Sequence, residues 1–274
     1  ESVGDSINVY RTLNSRGLLR LNQDKLNSAE LDLTMALEMA GDKKGFRGFI
    51  INNLGLLAYN RGIYGEAHEF YTQALNYLGD GIGLNNKAAI FNNLGTIFED
   101  LRDYQKAKSY FQKILEIQPN HMDTYYNLGN VLNKLGDYQK AINYYEKAIQ
   151  IQPDYVDAHF NLANTLKELG EFQKAVNCFQ KALEYKPDYV DAHHSILFTL
   201  LYFDKADPKY ILSKAKEFRY SLKPINDDSL LKYQFESRPK KLKIGFVSGD
   251  FKQHPVGYFL LDTLKHLKNK NLEL

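Results

Sequence analysis

Apolar residues recur at helical spacing along most of the chain, in stretches separated by short polar turns. Three stretches align without a gap: NNLGTIFEDLRDYQKAKSYFQKILEIQP, YNLGNVLNKLGDYQKAINYYEKAIQIQP and FNLANTLKELGEFQKAVNCFQKALEYKP. Each has two apolar stripes of helical period, a turn between them, and a proline that ends the second stripe. The pattern therefore predicts a helix-turn-helix unit that repeats every 34 residues.

Small residues and aromatic residues hold fixed positions in these units. Gly95, Gly129 and Ala163 occupy one small position of the first helix. An alanine and an aromatic residue of the second helix are also in phase, namely Ala107, Ala141 and Ala175, and Phe111, Tyr145 and Phe179. We expect the small residues to let the two helices approach closely, and the aromatic rings to fill the gap to the next hairpin. Because one hairpin cannot bury its apolar face alone, the units must stack.

Looser copies of the unit flank the three regular ones. The upstream copies are marked by Leu54, Gly55, Ala67, Tyr71 and Ala74, and more faintly by Gly17, Ala29, Leu33 and Ala36. Downstream, VDAHHSILFTLLYF keeps a first helix but places Leu197 at the small position, which predicts the end of the regular array. The next stretch, DKADPKYILSKAKEFRYSL, predicts one more amphipathic helix that begins near Pro208 and turns Ile211, Leu212 and Phe218 to one side.

The order Leu-Gly, Ala, aromatic, Ala and Pro resembles the tetratricopeptide repeat over about residues 10–203. The resemblance implies a mostly α fold, in which stacked hairpins form a right-handed superhelix, an α-solenoid. It also implies that the first helix of each repeat lines the concave surface. Since such solenoids bind many kinds of partner, the resemblance predicts a binding groove without naming its ligand.

Asparagine precedes the Leu-Gly pair, or its equivalent, in four units. The residues are Asn53, Asn93, Asn127 and Asn161, joined one turn later by Asn130 and Asn164. Amides in phase offer hydrogen-bond donors and acceptors to an extended peptide backbone, whatever its side chains. The alternative is that each asparagine bonds a neighbouring helix or loop. The repetition favours a peptide-binding groove, with a polypeptide acceptor or a partner protein as its ligand.

Aspartate also repeats in phase, near the start of three first helices. Asp123, Asp157 and Asp191 suit the positive end of the helix dipole, which favours a capping role. Contacts with Ser, Thr or basic side chains of a bound peptide are the alternative.

The pattern changes after residue 203. KPINDDSLLKYQFESRPKK is a polar linker, LKIGFVSGD has the apolar run of a buried parallel strand, and HPVGYFLLDTLKHL returns to helical period. A strand followed by a helix is the first half of a βαβ unit. The sequence therefore predicts three parts: a solenoid over 1–203, a capping helix and linker over 204–237, and the start of an α/β domain over 238–274.

The stretch RPKKLKIGFVSGDFKQHPVGYF, following the repeats, resembles the start of the catalytic region of the O-linked N-acetylglucosamine transferases, especially their bacterial relatives. The resemblance implies a truncated Rossmann-like lobe of the GT-B type. The parent protein would transfer N-acetylglucosamine from a UDP-sugar to Ser or Thr of polypeptides without a metal, and the asparagines would grip the acceptor.

The same resemblance places His254 in the active-site cleft. A structural hydrogen bond made by a histidine at a helix N-terminus is the alternative for this residue. Because the second lobe, which would hold the UDP-sugar, lies beyond Leu274, we expect no cofactor site here and no activity from this chain alone.

A non-enzymatic interaction scaffold is the alternative function. Composition gives further limits on the partners and the location of the protein. A formal charge of +2 does not indicate nucleic acid or an anionic membrane as a partner. The apolar run ILFTLLYF is far shorter than the roughly 18 residues that span a bilayer. Cys178 is the one cysteine, so it forms no internal disulfide, and we expect a buried residue of a cytoplasmic protein.

Overall fold

The computed structural model describes residues 3–78, 84–203 and 207–221, together with two short strands further along the chain. The chain divides into two compact units, Glu1–Leu222 and Lys223–Leu274. The described part of the first unit contains twelve helices: α1 (Val3–Asn22), α2 (Leu26–Met39), α3 (Lys44–Asn60), α4 (Tyr64–Leu78), α5 (Leu84–Asp100), α6 (Tyr104–Ile117), α7 (Met122–Lys134), α8 (Tyr138–Ile151), α9 (Val156–Glu168), α10 (Phe172–Tyr185), α11 (Val190–Leu201) and α12 (Pro208–Ser221).

The helices form six consecutive hairpins, each an odd-numbered helix packed on the even-numbered helix that follows it. The odd-numbered helices also contact each other from one hairpin to the next, α1 with α3, α3 with α5 and α7 with α9. Contacts between successive even-numbered helices are fewer among the described residues. The odd-numbered helices therefore lie on the more closely spaced side of the stack, called here the inner surface, and the even-numbered helices form the outer surface.

Close approach of the two helices depends on glycine. A Cβ atom added to Gly129 would lie 2.5 Å from Cε1 of Tyr145, and one added to Gly95 would lie 2.5 Å from Cε1 of Phe111. Carbon atoms in packed interiors do not approach so closely, so the ring of the second helix occupies the space that a side chain would need. Tyr145 also belongs to one core cluster with Leu162 of the next hairpin, which confirms the predicted role of the ring between hairpins.

The turn within each of the first five hairpins contains one residue with positive φ. Gly136 and Gly170 have φ of 77° and 75°, and Arg102 holds the same place in the hairpin of α5 and α6 with φ of 59°. The next residue starts the second helix: the Asp137 carboxylate accepts a hydrogen bond from the backbone N–H of Lys140, at 3.4 Å. This cap satisfies one of the free amides of the first turn and fixes the start of α8.

The faint upstream copies are complete hairpins. Gly17 of α1 faces Leu33 of α2, and Gly55 of α3 faces Tyr71 of α4. A Cβ atom added to either glycine would lie 2.8 Å from the facing side chain. A leucine therefore replaces the aromatic ring in the first hairpin without changing the arrangement. The predicted array of repeats is confirmed over the helices described.

The predicted helix after the regular array is also confirmed, as α12, with Pro208 in its first turn. The Phe218 ring lies 4.6 Å from the ring of His194 on α11, and Ile211 packs against the core of the preceding hairpins. Leu212 is an exception to the prediction, because 56% of it is exposed. Successive residues of an α-helix are about 100° apart around its axis, so Leu212 does not share the buried side of Ile211.

In the second unit, β1 (Leu242–Lys243) and β2 (Leu272–Glu273) pair in parallel, with Leu242 opposite Leu272. The rest of the predicted strand, the helix that should follow it and His254 lie outside the described residues, so the Rossmann-like lobe stays a prediction. None of the described helices combines the length and the apolar composition that crossing a bilayer requires.

Candidate functional site

Asparagines of the predicted groove lie on the inner surface of successive odd-numbered helices. Asn93, Asn127 and Asn161 hold the same position on α5, α7 and α9, and each is half-buried. Asn53, at this position on α3, is only 8% exposed. The repeat therefore presents one amide per hairpin in a row, and the row is more accessible from α5 onward than at α3.

Hydrogen bonds join these amides from one hairpin to the next. Nδ2 of Asn127 donates to Oδ1 of Asn92 at 3.3 Å. Nδ2 of Asn161 donates to Oδ1 of Asn130 at 2.9 Å and to the Tyr126 hydroxyl at 3.0 Å. The asparagines thus hold neighbouring inner helices together, which is the structural role that the sequence left as the alternative.

The bonds of Asn127 and Asn161 engage the amide nitrogen and leave the amide oxygen available. Both N–H groups of the Asn161 amide have acceptors, and within the described residues its Oδ1 receives no hydrogen bond. Oδ1 of Asn127 is likewise without a donor in that part of the chain, and the side chain of Asn93 makes no hydrogen bond there. An acceptor row of this kind is suited to N–H groups of a bound chain.

Asn130 and Asn164 have different environments. Oδ1 of Asn130 accepts the hydroxyl of Tyr145 at 2.8 Å as well as the amide of Asn161, so it forms the centre of a small network. Asn164 is half-buried, and among the described residues its side chain receives a single long hydrogen bond, of 3.4 Å, from Nζ of Lys167. The structure therefore brings Asn130 into contact with the row and leaves Asn164 at its side.

Two open cavities lie along the inner surface. The first cavity, of about 710 Å³, lies between α5 and α7 and includes Asn92, Asn127, Asp123, Tyr126 and Tyr155 in its wall. The second cavity, of about 360 Å³, lies across α5, α7 and α9 and includes Glu99, Asn130, Lys134, Asn161 and Asn164. Of the six predicted peptide-binding asparagines, four line one of these cavities, namely Asn127, Asn130, Asn161 and Asn164. Asn93 lies on α5, which contributes to both walls, and Asn53 lies on α3, away from both.

Charge in the second cavity comes from Glu99 and Lys134. Burial raises the pKa of the Glu99 carboxyl, the neighbouring Asp100 raises it further, and Lys134 opposes the shift. Asp100 is itself fixed, because its carboxylate accepts the Tyr59 hydroxyl at 2.6 Å across α3 and α5. The cavity therefore combines one acidic, one basic and several amide groups, an environment for a polar segment of a ligand.

The in-phase aspartates lie where the sequence placed them. Asp123, Asp157 and Asp191 are in the first turns of α7, α9 and α11, and all three are exposed. His121 is the cap of α7 instead, since its Nδ1 accepts the backbone N–H of Thr124 at 3.3 Å. The aspartates are thus compatible with the dipole role, and Asp123 also lines the first cavity.

Sequence reasoning did not find Asn92, Tyr126, Tyr155 or Glu99 as parts of the site. Asn92 and Tyr126 share a position immediately before the asparagine row, so a search for polar or aromatic residues one place earlier in each repeat would have found them. Tyr155 comes from the start of the next hairpin, and its ring lies 5.0 Å from that of Tyr126. That proximity depends on how hairpins stack.

Other candidate chemistry is limited in the described part of the chain. No group of three or more His, Cys, Asp or Glu side chains that could hold a metal occurs among those residues. Cys178 is half-buried on α10, and burial raises the pKa of its thiol to about 11, so the thiol is protonated at neutral pH. His254, the predicted catalytic residue, lies outside the described residues.

Comparison with known proteins finds a family model that matches part of the array of hairpins. The family model described as Tetratricopeptide repeat matches residues 86–154 and 120–188. The Photosystem I assembly protein Ycf3 of Acaryochloris marina (strain MBIC 11017) is 33% identical over 103 residues, which are 38% of this chain. The matched region spans 60% of the length of that relative. The family-model match lies in the repeats, and neither match is to a glycosyltransferase.

Solved structures show the same fold at low identity. PilF of Pseudomonas aeruginosa has a TM-score of 0.63 at 17% identity, over 79% of this chain and 93% of its own. YrrB, described as a TPR protein with an unusual peptide-binding site, has a TM-score of 0.53 at 22% identity, over 67% of this chain and 89% of its own. These likenesses establish the helical-hairpin architecture and leave the ligand to be argued from the inner surface.

Proposed function

We propose that this tetratricopeptide-repeat protein is an interaction scaffold that binds an extended polypeptide segment of a partner on its inner surface. The observation that carries the proposal is the row of Asn93, Asn127 and Asn161, whose described hydrogen bonds leave Oδ1 atoms free beside two open cavities. An extended backbone presents N–H groups at regular intervals and matches such a row without requiring particular side chains.

The test is a selection of displayed random peptides of about twelve residues, which extend over about 40 Å, followed by affinity measurement. The variant Asn93→Ala/Asn127→Ala/Asn161→Ala should lower the affinity of the selected peptides by about tenfold or more, since each lost bond contributes about 0.5–1.5 kcal/mol. Circular dichroism monitors the fold of every variant.

The matched control is Asn143→Ala/Asn177→Ala, because these two asparagines are exposed on α8 and α10 of the outer surface. We expect the control to bind the selected peptides as the unmodified chain does. Equal losses in the two variants, or a folded triple variant with unchanged affinity, would contradict the proposal.

The second candidate function is the protein O-glycosyltransferase implied by residues 238–274. The observation in its favour is the parallel pairing of β1 and β2, because a parallel pair is what the predicted βαβ unit requires. In this proposal the inner surface binds the acceptor polypeptide, and His254 lies in the cleft that receives the UDP-sugar. The comparisons favour the scaffold, since they match the repeats.

Sugar transfer separates the two candidates. The complete gene product is incubated with UDP-N-acetylglucosamine and Ser- or Thr-containing peptides selected on the inner surface, and glycosylated peptide is measured by mass spectrometry. The transferase proposal predicts transfer that is lost in His254→Ala while peptide binding survives. If no sugar is transferred from a panel of nucleotide sugars while peptide binding is intact, the transferase proposal is excluded and the scaffold proposal remains.

A further inference from the structure

Two small residues of α5 line the first cavity. Ala88 and Ala89 of α5 hold the positions that Val156 and Asp157 hold on α9. Ala88 is 4% exposed and forms part of the cavity floor, whereas Ala89 is exposed at its edge. The cavity has a volume of about 710 Å³, within the roughly 300–1,000 Å³ of ligand pockets.

The wall of the cavity carries negative charge and aromatic surface. The Asp123 carboxylate is exposed and forms no ion pair within the described residues, and no Lys or Arg is among the residues that line the cavity. Beside it, the half-buried rings of Tyr126 and Tyr155 lie 5.0 Å apart at an interplanar angle of 54°. A carboxylate next to tyrosine faces attracts a cation through charge and through the ring quadrupole.

Neutral hydrogen-bond acceptors complete the lining. Oδ1 of Asn92 accepts one bond from Asn127 and keeps a second lone pair, and Oδ1 of Asn127 has no donor within the described residues. A planar group with several N–H donors can reach the carboxylate and an amide oxygen while stacking on a ring. A guanidinium has this shape, and an ammonium does not.

We infer that the first cavity is a side-chain pocket for an arginine of the bound partner segment. The inference rests on the proposed scaffold function and specifies it, because it fixes one side chain of the partner at the α5–α7 step of the inner surface. The guanidinium stacks on Tyr126 or Tyr155 and donates to Asp123 and to the amide oxygens. If the partner has a neutral residue at that point, the Asp123 carboxylate contacts only solvent.

The test uses the peptides selected on the unmodified chain. We expect the selected sequences to share an arginine at one position, and its replacement by citrulline, which keeps the shape and removes the charge, to lower affinity by about tenfold. Replacement by lysine should cost several-fold, since the ammonium keeps the charge and loses the planar contacts. Affinities are measured by fluorescence anisotropy.

Protein variants locate the effect. Asp123→Asn should reduce the preference for arginine over citrulline to about twofold or less. Ala89→Gln, which fills the cavity edge, should weaken the binding of arginine and citrulline peptides alike and reduce the preference to a similar value. Asp191→Asn is the matched control, because Asp191 holds the same position on α11. It should leave the preference intact.

Four results would overturn the inference. Selected peptides that lack a shared arginine, or that bind equally with citrulline, contradict it and leave the scaffold function standing. Equal effects of Asp123→Asn and Asp191→Asn would show general attraction to acidic residues and would also contradict it. A selection that yields no inner-surface binders overturns the inference and the proposed function together.

Discussion

The helices α9 and α11 are one repeat apart, yet their inner surfaces differ. Asn164 and Lys167 of α9 are followed 34 residues later by Phe198 and Leu201 of α11, which are 48% and 60% exposed. Both helices nevertheless pack on a following helix in the same hairpin arrangement. The difference shows that the residues facing the hairpin core determine the fold, whereas a separate set facing outward determines what the surface can bind.

The largest loss of stability is expected when the small position of a regular repeat receives the leucine that α11 has at that position. Gly129→Leu places on α7 the side chain of Leu197, at a point where even a Cβ atom would lie 2.5 Å from the Tyr145 ring. We expect the free energy of unfolding to fall by about 3 kcal/mol or more, because the ring must leave its buried site. Urea denaturation measures the change.

A control at the same helix keeps this result interpretable. Lys134→Leu introduces leucine on α7 at an exposed position and should change the free energy of unfolding by less than about 0.5 kcal/mol. If Gly129→Leu were as stable as this control, the close approach of α7 and α8 would not be what holds the hairpin together.

The amide row gives a smaller contrast between α9 and α11. Asn161→Ala removes two hydrogen bonds to α7 and should lower stability by about 1–2 kcal/mol. At the same position of α11, Ser195→Asn should change it by less than about 0.5 kcal/mol, since an exchange at a partly exposed surface position creates no cavity or buried unpaired group. Thermal unfolding followed by circular dichroism compares the two, and equal effects would refute a structural role for the row.

The smallest effect is expected from exchanging the surfaces themselves. Phe198→Asn/Leu201→Lys gives α11 the residues that α9 presents, and both side chains are largely exposed. We expect a change in the free energy of unfolding below about 0.5 kcal/mol, measured by urea denaturation. A loss above about 2 kcal/mol would show that the two side chains are buried in solution. It would contradict the distinction between residues that determine the fold and residues that determine binding.

The frame of the repeats was predictable because its causes are local. Gly129 and Tyr145 are 16 residues apart in a strict period, so the sequence indicates both the small position and the ring that fills it. The weak copy of the repeat around Gly17 and Leu33 was predictable for the same reason, since a leucine fills the space that an aromatic ring fills in the other repeats. Helix α12 was predicted from its own apolar stripe, and only the exposure of Leu212 departs from that prediction.

The site was predicted less completely because it depends on how hairpins stack. The asparagine row was recognisable from its period, but the partners of its amides were not. Asn127 bonds Asn92 rather than Asn93, and Tyr155 reaches Tyr126 from the next hairpin. Such pairings are set by the rotation between repeats, which apolar spacing alone does not specify.

The central claim is that the inner asparagines contact a bound chain. The direct measurement is the NMR signal of each side-chain NH₂ group during titration with a selected peptide. The account predicts saturable shifts for Asn93, Asn127 and Asn161 and unchanged signals for Asn143 and Asn177 on the outer surface. Shifts confined to the outer pair, with the inner three unchanged at saturation, would contradict it.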